Sequence, residues 1–164
     1  MKTDTNMLLL ENAANALITI AGIARMNEAS VTPYDDSPEK EKIFQEAGRS
    51  AYNHVLEACN DQSVQDWLNE GPLDQRNEAG ALSQLQDLGK GLEIIEAALQ
   101  RVSTDDLSQA PFPLVGEEAR IHLEGKQSAY SAALGFGAFK ALREHLKYRD
   151  RETLALGKIR GAAR

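Results

Sequence analysis

The chain has 164 residues, a single cysteine and a net charge of -7. That length suffices for one domain burying roughly 70% of the surface of its unfolded form, and one cysteine excludes a disulfide-held scaffold. Charge is unevenly placed: Lys140 to Arg164 holds eight basic and three acidic residues, a balance of +5, which leaves -12 on the first 139 residues. Four Phe, four Tyr and one Trp are too few to build a platform on which nucleic-acid bases would stack.

From Met7 to Ala24 the chain is apolar almost all round, with Glu11, Asn12, Asn15 and Thr19 as its polar members. The segment approaches the length of a membrane span, but Glu11, Asn12 and Asn15 would then face hydrocarbon, and Lys2 with Asp4 is no basic flank. The expectation is therefore a helix buried on most sides in a cytoplasmic protein with no membrane contact. Asn27 to Asp36 breaks the periodicity and reads as a polar loop. Ser37 as N-cap, Pro38 as the first helical residue and Glu39 and Glu41 in the first turn mark a restart. Ile43, Phe44, Ala47, Ala51, Val55, Leu56 and Cys59 then trace one face of a helix. Asp61 is expected to cap a short helix carrying Val64, Trp67 and Leu68 that stops at Gly71-Pro72. Trp67 is read as the ring closing one end of the core, and Cys59, with no cation within a helical turn, as a packed small residue.

The strongest signal lies between Leu82 and Val102. Leu85, Leu88, Leu92, Ile95, Leu99 and Val102 alternate steps of three and four, which puts them on one stripe of a helix. A free two-stranded coiled coil would flank that stripe with Glu and Lys, whereas here the flanks are Gly89, Gly91, Glu96 and Ala98. Small flanks admit neighbouring helices on both sides, so this is the central helix of a bundle. Ser103 to Asp106 reads as a cap followed by one turn, and the prolines of Ala110-Pro111-Phe112-Pro113-Leu114 forbid a helix there. A last long helix is expected from Glu117 to about Tyr148, with close backbone contact offsetting Gly135 and Gly137.

Two groups of residues are candidates for function. Arg143, Lys147 and Arg151 recur every fourth residue and share a helix face; with Lys140, Arg149, Lys158 and Arg160 they form a basic surface for docking an acidic protein, or alternatively a nucleic acid. The other is Arg49 and His54, separated by Ser50, Ala51, Tyr52 and Asn53. That pair resembles the Arg and His motif of the HEPN superfamily, helical proteins of which many cut RNA without a metal. The resemblance implies His54 as general base or acid and Arg49 stabilising phosphate charge at a dimer cleft.

Other chemistry lacks its residues. A bundle di-iron site needs paired Glu-x-x-His motifs, whereas Glu118 and His122 are four apart and His54 precedes Glu57, so neither metal nor cofactor is expected. No Ser occupies a Gly-flanked elbow, and Gly89-Lys90-Gly91 lies within a helical pattern rather than after a strand. The sequence thus predicts an all-α bundle of five or six helices over residues 1–149, with a partly flexible basic tail over 150–164. The expected function is non-enzymatic binding of a macromolecular partner, foremost a protein, by a homo-oligomer. A metal-independent RNase using Arg49 and His54 is the alternative.

Overall fold

The computed structural model describes residues 5–26, 33–34, 36–70 and 76–162, apart from the side chains of 70 and 153–162. Most of the loop expected over 27–36, and the stop at Gly71-Pro72, lie outside these. The described residues form an all-α bundle: α1 (Thr5–Arg25), α2 (Pro38–Ala58), α3 (Asp61–Glu70), α4 (Glu78–Arg101), a 3-10 turn (Leu107–Gln109), α5 (Gly116–Leu134) and α6 (Gly137–Ala162).

Helix starts follow local chemistry. Ser37 is extended ahead of Pro38, Glu39 and Glu41 as expected, although its side chain makes no capping bond. Asn77 caps α4, its Oδ1 accepting from the Gly80 N–H at 2.8 Å. Asp61 is the first residue of α3 rather than its cap. The preceding Asn60 holds a left-handed φ of 51°, which Asn tolerates well, and its carbonyl accepts from Val64 N–H at 3.2 Å. Between α4 and α5 Ser103 caps one turn as expected, its Oγ accepting from the Asp105 N–H at 3.2 Å, and Asp106 caps the 3-10 turn that follows, accepting from the Ser108 N–H.

The stripe of α4 is enclosed: Leu85, Leu88, Leu92 and Ile95 are fully buried, and Leu99 and Val102 pack against the same core. Burial of each such side chain is worth about 1.5–3 kcal/mol. Its glycine flanks admit neighbours on two sides. A Cβ on Gly91 would lie 2.4 Å from the Ala58 carbonyl oxygen and 2.9 Å from Cys59 Cα, so α4 crosses the end of α2 with no side chain between the two backbones. At Gly89 the neighbour is Leu146 of α6. Elsewhere α2 and α5 approach as closely, with Gly125 against the Phe44 carbonyl and Ala47.

Two expectations about helices are corrected. α1 buries Leu10, Ala13, Leu17 and Ile20, but Leu8 and Ile18 are 47% and 56% exposed, so it lines the core with one face only. It is long and apolar enough to cross a membrane, and here its buried stripe packs against α2, α4 and α6. The helix expected from Glu117 to Tyr148 is two helices, interrupted at Gly135 and Phe136. Gly135 and Phe136 close α5 by donating to the carbonyls of Ser131, Ala132 and Ala133. The chain then turns so that the Phe136 ring meets Phe139 at a tilt, their centroids 5.9 Å apart, and Phe139 is fully buried together with Leu142. Burying Phe139, with Phe136 partly buried beside it, outweighs continuity of a helix weakened by two glycines.

A polar pin joins three elements at one end of the bundle. The Glu78 carboxylate accepts the Asn6 N–H at 2.8 Å, and the Asn6 side-chain amide donates to the Glu78 carbonyl at 3.1 Å. That orientation leaves Asn6 Oδ1 to accept from His145 Nε2 at 2.7 Å. Asn6 is 2% exposed, so its amide must be satisfied from within, and Asn6 and its two partners sit on three different helices.

The glycine contacts make a differential prediction. Gly91→Ala forces a Cβ into backbone and should destabilise by about 1–3 kcal/mol in urea unfolding. Gly89→Ala meets only the flexible end of Leu146 and gains helix propensity, so its effect should stay within about 1 kcal/mol.

Candidate functional site

The basic residues of α6 divide into two sets. Arg143 is engaged: its guanidinium donates to the Glu96 carboxylate and ties α6 to α4. It therefore positions the helix rather than offering a free cation. Lys140 is exposed, and from Lys147 to Glu152 every residue is exposed. A helix enclosed by protein buries a side chain every three or four residues, so a run of six exposed residues means that α6 runs along the surface after Leu146 and is no longer part of the core. Lys147, Tyr148, Arg151 and Glu152 face solvent, while Arg149 and Asp150 border an open groove shared with Gln86, Gly89, Lys90 and Glu93 of α4. The α6 backbone continues to Ala162, and the side chains of Lys158 and Arg160 lie outside the described residues.

Arg49 and His54 line one shallow, open depression on α2, with Ser50 and Asn53 between them and Glu46 and Glu57 at its ends. Tyr130 of α5 stands behind His54, its hydroxyl hydrogen-bonded to Nδ1 at 2.8 Å and its ring meeting the imidazole edge-on. Tyr130 is 4% exposed, and burial raises its pKa. The hydroxyl thus stays protonated and orients the imidazole. The sequence pairs Arg49 with His54 but gives no hint of Tyr130, which is 76 residues from His54.

Remaining candidates are structural. Cys59 is buried in the core, and burial, then the neighbouring Asp61 charge, pushes its thiol up to about 12, so it carries no thiolate near neutral pH. Trp67 packs against the core as expected. His122 of α5 is partly buried with Nε2 lacking a partner among the described residues; burial and then Lys126 lower its pKa, so neutral imidazole is favoured. Tyr34 donates to the Glu124 carboxylate and fastens the approach to α2 onto α5. Its pKa rises to about 12, chiefly through that bond. At the other extreme Phe112, in the proline-rich connection, is 96% exposed.

Asn6 and Glu78, the polar pin, are 72 residues apart, and no local pattern pairs them. The available signal was an amide directly ahead of the apolar run that begins at Met7. Compared with known proteins, the chain matches no family model, no curated protein and no solved structure.

Proposed function

We propose that this chain is a non-enzymatic interaction protein whose α6, where it runs along the surface past Leu146, docks on an acidic surface of a partner protein. The observation that carries this reading is the run of six exposed residues bearing Lys147, Arg149 and Arg151. A helical segment that buries none of its side chains is marginal in water, because packing of one face supplies most helix stability. Contact with a partner supplies what the bundle does not. Local cations provide the selectivity, acting within a Debye length of about 8 Å at physiological salt. A long nucleic acid would also meet the field of a body carrying -12 over its first 139 residues, which favours a protein as the occupant.

Reversing Lys147 and Arg151 together, Lys147→Glu with Arg151→Glu, should weaken partner capture from native lysate by about tenfold or more while leaving circular dichroism unchanged. Undiminished capture by that variant contradicts the reading, and capture abolished by nuclease reassigns the surface to nucleic acid.

A second reading is favoured by the common depression that Arg49 and His54 share. In it His54, oriented by Tyr130, relays a proton during RNA cleavage while Arg49 meets the phosphate. The expected result is cleavage of RNA in excess chelator that His54→Ala reduces by about a hundredfold or more. Equal activity in His54→Ala ends this reading.

A further inference from the structure

A second surface carries charge of both signs and leaves it unused within the protomer. Lys90 and Glu93 on α4 and Arg149 and Asp150 on α6 border one open groove, with Gly89 and Leu146 also in its lining. All four charged residues are exposed, and no ion pair or side-chain hydrogen bond joins any of them to another described residue. Apolar surface accompanies them on the same helices: Ile94, next to Glu93, is 53% exposed, and Tyr148, next to Arg149, is 66% exposed.

The mixture of signs selects the occupant. A partner of uniform charge, acidic or basic, would place like charge against half of this groove. A second copy of the chain does not, because a two-fold contact sets residue i against residue j and j against i. With the α4 helices antiparallel and the axis passing at the level of Gly91 and Leu92, Lys90 of each copy meets Glu93 of the other. Ile94 then lies beside each pair and adds apolar burial to the polar contact. From this self-complementarity we infer that two copies of the chain associate through the outer face of α4 and the adjoining edge of α6. The inference goes beyond the partner-docking reading, since that reading concerns a different molecule and is tested at Lys147 and Arg151, which do not line the groove.

Sedimentation velocity of the full chain across the micromolar range tests it. Wild type should show a concentration-dependent dimer, and Lys90→Glu and Glu93→Lys should each weaken it by about tenfold or more through like-charge contact. The double variant, Lys90→Glu with Glu93→Lys, restores opposite charges and should recover the dimer. An equimolar mixture of the two single variants should form a heterodimer tighter than either homodimer. Wild type monomeric at every concentration, a dimer equally tight in both single variants, or a double variant that stays dissociated overturns the inference. Circular dichroism separates misfolding from dissociation, and the Lys147→Glu, Arg151→Glu protein should dimerise normally even where it fails to capture a partner.

Discussion

Helix spacing in this protein is set where a Cβ has no room. Gly91 lies against the Ala58 carbonyl, and Gly125 against the Phe44 carbonyl, so α4 and α5 both reach the α2 backbone directly. Everything else in the core takes its position from those approaches. With α4 seated on the end of α2, the leucines and isoleucine of its stripe are enclosed by α1, α2, α5 and α6. Gly89 then receives Leu146, and the Arg143 to Glu96 pair holds α6 across the same helix. Interiors are packed at crystal-like density, so one methyl placed between two backbones cannot be absorbed by local adjustment.

Much of this was legible in the residues. The three-and-four spacing from Leu85 to Val102 names the central helix, and Gly89 and Gly91 beside it name an environment of neighbours on both sides. Ser37 with Pro38 marks the start of α2. What escaped the sequence depends on contacts distant in the chain. The interruption at Gly135 follows from where Phe136 and Phe139 must go, which the local pattern of Ala and Gly does not reveal. The single buried face of α1 follows from its neighbours, since a segment apolar all round carries no sign of which side they occupy. On the site side, the every-fourth spacing of Arg143, Lys147 and Arg151 correctly places them on one helix. It cannot tell that Glu96, 47 residues earlier, claims Arg143 while the other two face solvent.

The division of charge has a structural counterpart. Near the bundle, α6 is anchored by Phe139, Leu142, Arg143 and the His145 to Asn6 bond. From Lys147 to Glu152 none of its residues is buried, and Arg149 and Asp150 border the groove shared with α4. One helix is therefore both a core element and a presented surface, with the change of role falling at the groove it shares with α4. The depression on α2 differs in kind: Arg49 and His54 share it with Glu46 and Glu57, and its imidazole is oriented from the core by Tyr130.

Amide hydrogen exchange under native conditions addresses the two halves of this arrangement at once. Amides from Leu85 to Ile95 should exchange only through global opening, because the helix they belong to is enclosed, whereas those from Tyr148 to Glu152 should exchange orders of magnitude faster. Comparable protection in the two segments, or early exchange along α4, would contradict an enclosed central helix beside an exposed C-terminal one.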